Sequence, residues 1–181
     1  MVKNRFYRFI RATWRPFVTF LHPLRVEGLE NLPKDQPVLL CANHSSAVDP
    51  ILLICAMRQD FPLRIMAKKQ LLSIPILGRI LQNVGAFAVD RGNSDIQAVK
   101  TAIQTIQSGH NLLIFPEGTT IRNGIGKADG LPAHPHRGAA VIGVRTGAIL
   151  VPVFVDGEKR TFHRTRIIIG QPYTPVYTGR R

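Results

Sequence analysis

From residue 37 onward, short apolar runs alternate with segments of helical periodicity, and this alternation restricts the chain to a sheet layered with helices. Strand-length runs fall at residues 38–42, 63–67, 86–89, 112–115, 150–155 and 165–169. The clearest helix covers residues 94–108, where Ile96, Val99, Ile103 and Ile106 form one stripe, Ser94 is placed to cap the start and Gly109 to close the end. Asp156-Gly157 marks a turn that would join the last two strands antiparallel. The expectation is an α/β fold: a single three-layer domain with a mixed, mostly parallel sheet flanked by helices, preceded by an N-terminal amphipathic helix. With 181 residues, 45% of them hydrophobic, the chain can bury one core and is short for two. The domain is assigned to residues 23–181. Residues 119–137, holding Gly124, Gly126, Gly130, Pro132 and Pro135, read as a long binding loop, and the tail 173–181 as frayed.

Residues 1–22 form the other unit. Phe6, Phe9, Ile10 and Phe17 recur at helical spacing, while Lys3, Arg5, Arg8, Arg11 and Arg15 interrupt the apolar character every few residues. No stretch approaches the roughly 20 apolar residues of a spanning helix, and no small-residue cleavage site follows. The expected element is an amphipathic helix, bent at Pro16, lying in a lipid interface with its arginines on anionic headgroups at about 1 kcal/mol each. The alternative is a helix that packs on its own domain. A formal net charge of +13 calls for an anionic partner, be it lipid, phosphorylated substrate or nucleic acid. Cys41 and Cys55 sit in apolar runs outside any CxxC pair, which fits a reducing cytoplasm and gives Cys41 no catalytic role.

Three constellations stand at the carboxyl ends of strands, where open α/β sheets bind ligands. Asn43-His44-Ser45-Ser46-Ala47-Val48-Asp49-Pro50 follows the first strand. Asp49 before Pro50 reads as a helix N-cap, yet its carboxylate could also turn back to the Nδ1 proton of His44, leaving Nε2 as a base. Taken alone, one histidine and one aspartate fit the cap better than catalysis. Phe115-Pro116-Glu117-Gly118-Thr119-Thr120 sets Glu117 in a tight turn where it could accept bonds from substrate hydroxyls or simply face water. Gly85-Ala86-Phe87-Ala88-Val89-Asp90-Arg91 ends in a guanidinium suited to phosphate, with Lys68 and Lys69 near another strand end.

In this order, and with the apolar run Ile149-Leu150-Val151-Pro152-Val153, these segments resemble the four motif blocks of the glycerolipid acyltransferases. Glu27-Gly28-Leu29-Glu30-Asn31-Leu32-Pro33 resembles that family's lead-in and residues 68–78 its second-helix region, so the likeness covers residues 23–171. It implies transfer of a fatty acyl group from acyl-CoA or acyl-carrier protein to the free hydroxyl of a lysophospholipid. The first acceptor to expect is 1-acyl-sn-glycerol-3-phosphate, giving phosphatidic acid, at the cytoplasmic face of a membrane. It implies His44 as general base and Asp49 as its orienting partner, without a cofactor. It places Arg91, Glu117, Gly118, Thr119 and Lys68 in acceptor binding. Two departures stand out. Thr120 occupies the place where many lysophosphatidate-using members carry arginine, with Arg122 two residues on, so another lysophospholipid is the alternative acceptor. The chain also ends soon after Gly170, without the further helix many members have.

A basic nucleic-acid-binding protein also accounts for the charge, but its arginines are interleaved with bulky hydrophobes and no nucleic-acid motif appears, so no nucleic-acid partner is expected. A metal site at His134 and His136 with His110 or His163 lacks any carboxylate or cysteine at ligand spacing, and no metal is expected.

Overall fold

A strand that is apolar at every position needs cover on both faces, and the arrangement of the chain supplies it. The computed structural model describes residues 5–75, 77–89, 96–123, 125–126, 136–156 and 159–176, with the backbone alone at 6, 68, 77, 80, 89 and 122. In chain order the elements are α1 (Arg5–Leu21), β1 (Leu24–Glu27), a 3-10 turn (Leu29–Asn31), β2 (Val38–Ala42), α2 (Asp49–Ala56), β3 (Leu63–Lys68), α3 (Lys69–Leu72) and α4 (Leu77–Asn83). They continue with β4 (Ala86–Val89), α5 (Ile96–Gln107), β5 (Asn111–Ile114), β6 (Ile121–Arg122), β7 (Ile125–Gly126), α6 (Gly138–Thr146), β8 (Ile149–Val155) and β9 (Thr165–Ile169).

Seven strands form one sheet in the order β1-β9-β8-β2-β5-β3-β4, and all pairings are parallel except β8 with β9. Val38, Leu40 and Ala42 of β2 join the core on the face carrying Leu52, Leu53 and Ala56 of α2. Leu39, between them, belongs to the opposite core with Ala102 and Ile106 of α5 and Ile142 of α6. Since α1 packs on α2 and α5 on α6, the layers are helix, sheet and helix, as the sequence led us to expect. From β2 the chain crosses through α2 to β3, beyond β5; from β5 it crosses through α6 to β8, on the other side of β2. The carboxyl ends of β2 and β5 therefore flank the point where the connections diverge, the place where such sheets take ligands.

Several local expectations change. The sequence reading omits β1, a four-residue edge strand whose half-buried side chains carry too little pattern to register; its Glu27 receives both Arg166 Nε at 3.0 Å and Nη2 at 2.7 Å from β9. The long loop from 119 begins with the antiparallel pair β6 and β7, while residues 127–135 lie outside the described residues. The tail is tied at Tyr173, which exchanges two backbone hydrogen bonds with Leu150, at 2.8 and 2.9 Å. In α5 the buried side chains are Ala98, Ala102, Thr105 and Ile106, Val99 and Ile103 pack beside them, and Ile96 is exposed; Ser94 lies outside the described residues. The antiparallel junction of β8 and β9 forms, but its connection runs from 156 to 164 rather than through a two-residue turn.

The N-terminal helix packs on its own domain through α2, the second of the two readings offered for it, and leaves part of its aromatic surface uncovered. Pro16, where the bend is expected, lies inside α1. Tyr7 is buried, and the guanidinium groups of Arg11 and Arg15 reach the carboxyl end of α2: Arg11 Nε donates to Ile54 O at 3.2 Å and its Nη2 to Met57 O at 2.5 Å, while Arg15 Nε donates to Cys55 O at 3.1 Å. Those carbonyls end a helix and carry its negative pole, so the guanidinium groups satisfy them directly. Phe9, Trp14, Phe17 and Phe20 remain exposed. Among the described residues no helix is long and apolar enough to cross a membrane.

Candidate active site

Asn43 sets the entry to the site. Its side-chain Oδ1 accepts from Val155 N at 2.7 Å and its Nδ2 donates to Val155 O at 2.9 Å. An amide offers the same donor and acceptor as a peptide group, so this side chain prolongs the β2–β8 pairing by one step after the backbone has turned away. His44 follows, held by its backbone on both sides: its N–H donates to Glu117 Oε2 at 2.8 Å, and its carbonyl accepts from Ile121 N at 2.6 Å. The imidazole stacks on Phe115, centroids 4.2 Å apart and 27° from parallel.

Asp49 is fully buried and does not cap α2. The residue preceding the helix is Val48, and the carboxylate turns back along the loop. Its Oδ2 accepts from Ser45 N and Ser46 N, each at 2.8 Å, and stands 3.2 Å from His44 Nδ1. Its Oδ1 lies 3.1 Å from Lys159 Nζ. The loop amides and the two cationic or polar partners outcompete the first-turn amides of α2 for this side chain. Burial raises the carboxyl's pKa, but the bonds from His44 and Ser46 and the Lys159 ammonium outweigh it and hold Asp49 below its ordinary value. An imidazole whose Nδ1 is engaged by a buried carboxylate is fixed in orientation and tautomer, the arrangement required of a general base.

Glu117 shares the site through the turn expected of it. Gly118 N bonds Phe115 O at 3.0 Å, and Gly118 has φ 66°, where a Cβ would come within 2.8 Å of the His136 ring; only glycine fits. Burial pushes the Glu117 carboxyl up despite the His44 N–H. Because its folded value lies above the unfolded one, ionisation of Glu117 opposes folding, and the native state gains stability as pH falls through that raised value. Glu117→Gln, which keeps an oxygen for the His44 N–H, is expected to melt higher than the parent at neutral pH, with the gain vanishing as pH approaches 4.5. Melting temperatures of both proteins across this range check it.

Of the residues singled out from sequence, His44, Asp49, Glu117, Gly118 and the buried Thr119 come together here. Arg91 lies outside the described residues, and for Lys68, which ends β3, only the backbone is described. Of the histidines of the metal reading, His110 pairs with Arg64 at 3.0 Å, His163 Nδ1 lies on its own loop 3.1 Å from Thr161 O, and His134 is outside the described residues. Burial drives the Cys41 thiol to about 12, so it stays protonated at neutral pH. Sequence reasoning overlooked the roles of Asn43, Phe115 and Lys159. Lys159 is one of 24 lysines and arginines and stands in the connection between two strands, so no local signal separates it from a solvated cation.

Known proteins resemble this chain in sequence and in fold. The family model described as Acyltransferase matches residues 23–156. The 1-acyl-sn-glycerol-3-phosphate acyltransferase of Bacillus subtilis is 30% identical over 171 residues, covering 92% of this chain and 81% of its own length. The chloroplastic 1-acyl-sn-glycerol-3-phosphate acyltransferase LPAT1 of Arabidopsis thaliana is 27% identical over 159 residues, covering 86% of this chain, which spans only 42% of that relative's length. In fold, the chain is similar to the crystal structure of the 1-acyl-sn-glycerophosphate (LPA) acyltransferase PlsC from Thermotoga maritima, with a TM-score of 0.70 at 23% identity, over 97% of this chain and 71% of that one. With the family model spanning the sheet from β1 through β8 and taking in the His44, Glu117 and Pro152 segments in order, the chain belongs to the Acyltransferase family, the glycerolipid O-acyltransferases.

Proposed function

We propose that this protein transfers a fatty acyl group from the thioester of acyl-CoA or acyl-carrier protein to the free hydroxyl of 1-acyl-sn-glycerol-3-phosphate, giving phosphatidic acid. The observation that carries this reading is the 3.2 Å contact of His44 Nδ1 with the buried Asp49 carboxylate beside the Glu117 turn, in a chain whose relatives bear the name of that activity. Nε2 of His44 takes the hydroxyl proton, the oxygen attacks the thioester carbonyl, the carbon–sulfur bond breaks, and the proton passes to the departing thiolate; no acyl-enzyme forms. General-base assistance contributes roughly 10²- to 10⁴-fold, and alignment of the two substrates much of the rest. Glu117, Gly118 and Thr119 hold the glycerol of the acceptor, with Arg91 and Lys68 on its phosphate. The test is to incubate the purified protein with acyl-CoA and with acyl-carrier protein, each against a panel of lysophospholipids. The fastest turnover is expected with 1-acyl-sn-glycerol-3-phosphate. Faster transfer to another lysophospholipid would reassign the acceptor, as Thr120 allows, and no transfer with either donor would overturn the reading.

The protein works as a peripheral enzyme on a lipid surface. Supporting this, Phe17 and Phe20 of α1 are 64% and 69% exposed, and Phe162, from the β8–β9 connection, meets Phe20 edge to face at 5.6 Å, widening the aromatic face. Arg5 and Arg8 are exposed on the same helix. Replacing Phe9 and Phe17 together by serine is expected to lower partition onto vesicles containing phosphatidylglycerol by about tenfold or more with no change in melting temperature, since fully burying one such side chain is worth about 1.5–3 kcal/mol. Unchanged sedimentation with those vesicles would remove the membrane claim.

A further inference from the structure

We infer that Lys159 is a positioning residue for acyl transfer, its buried ammonium locking the Asp49 carboxylate so that Oδ2 stays turned to His44. The inference rests on His44 and Asp49 acting as proposed above. Two desolvated charges meet here: the Lys159 side chain is 2% exposed and that of Asp49 is 0%, with Nζ 3.1 Å from Oδ1. An isolated ammonium is expensive to bury, so a lysine this enclosed beside one carboxylate needs a partner in place. Nζ also meets Ser45 Oγ at 2.5 Å, on the loop that carries His44, and donates to the carbonyl of Asp156 on its own loop, so the ammonium bridges the two loops.

The consequence for the dyad is geometric. A carboxylate can turn about its last bond and exchange its two oxygens. Here Oδ2 is occupied by Ser45 N, Ser46 N and His44 Nδ1, and Oδ1 by the ammonium, so a turn would break contacts on both sides at once. The lysine is itself held by its loop. Asp156 N bonds Arg166 O at 2.9 Å in the β8–β9 ladder, and Phe162 N bonds Leu21 O at 2.6 Å at the end of α1. Asn43 fastens that same loop's start, Val155, to the residue before His44. The titratable groups against the dyad include Glu117, whose carboxylate takes the His44 N–H, and Lys159, which also reaches the backbone of Asp156. A positive charge beside the dyad disfavours its proton-loaded form.

The experiment measures kcat, KM and the pH profile, over roughly pH 5 to 9, for transfer from acyl-CoA to 1-acyl-sn-glycerol-3-phosphate by the parent, Lys159→Met, Lys159→Arg, Asp49→Asn, the double variant Asp49→Asn/Lys159→Met, and His44→Ala. Lys159→Met is expected to lower kcat about 10- to 100-fold with both KM values within about twofold, because the lysine side chain is buried behind the dyad and the base loses its alignment. The acid limb of kcat/KM should move to higher pH, and Lys159→Arg should recover most of kcat. Adding Lys159→Met to Asp49→Asn should cost nothing further, since the lysine acts through the carboxylate. Parental kcat and acid limb in Lys159→Met, or the same loss from it in the Asp49→Asn background as in the parent, would overturn the inference. If Lys159→Met does not fold, the Asp49→Asn pair decides, because its double variant leaves no unbalanced buried charge. Full activity in His44→Ala would defeat the mechanism itself; an inactive His44→Ala alongside parental Lys159 variants would defeat this inference alone.

Discussion

His44→Ala is expected to lower kcat/KM for acyl transfer by about 10²- to 10⁴-fold while leaving a cooperatively folding protein. The fold should survive because the position is held by its backbone and its neighbours rather than by the imidazole. Glu117 Oε2 accepts the His44 N–H, Ile121 donates to the His44 carbonyl, and Asn43 keeps both bonds to Val155. Asp49 would retain Ser45 N, Ser46 N and Lys159. What is lost is one hydrogen bond and the stack on Phe115, a change of order 1–2 kcal/mol. Activity assays paired with urea unfolding separate the two effects, and near-normal turnover in this variant would refute a role for His44 as base.

Asp49→Asn should show the opposite weighting, with a large loss of stability added to the loss of rate. The sequence suggested a helix cap worth about 1 kcal/mol. The structure puts the carboxylate at the centre of three donors on Oδ2 and an ammonium on Oδ1. The asparagine amide can accept on one side only and sets its own N–H groups against donors on the other. Lys159, 2% exposed, would lose its counter-charge. Removing one member of a buried ion pair costs about 3–5 kcal/mol. Asp49 is held below its ordinary value of 3.8, so the stability it contributes in the ionised form is complete above that value and is lost only as pH falls through the lowered folded one. The gap between parent and variant in urea midpoint should thus stay constant from neutral pH down to 3.8 and close below it. A gap of only about 1 kcal/mol at neutral pH would mean that the carboxylate is acting as no more than a cap.

The same contrast runs through the N-terminal helix. Its aromatic periodicity was legible, and Phe9, Phe17 and Phe20 are indeed exposed on it. Arg11 and Arg15 look no different in sequence from Arg5 and Arg8, yet they are bound to the last carbonyls of α2, more than 35 residues away along the chain. Which arginines are tied to the protein and which are not depends on where α2 ends in space, and composition carries no record of that.

What the sequence determined by itself is local. Apolar continuity marked the central strands, a glycine requirement and a proline marked the Glu117 turn, and the spacing of His44 and Asp49 around a loop allowed a carboxylate to reach back to an imidazole. Tertiary structure alone decided the partners drawn from afar: Glu117 on the His44 amide, Lys159 on Asp49, and Asn43 on Val155. The reason is that periodicity records which face of an element is buried, whereas neighbours across a sheet are set by strand order and register. Only the order β8-β2-β5 brings the ends of three strands, distant in the chain, to one edge, where a lysine without any distinguishing context becomes the counter-charge of the dyad.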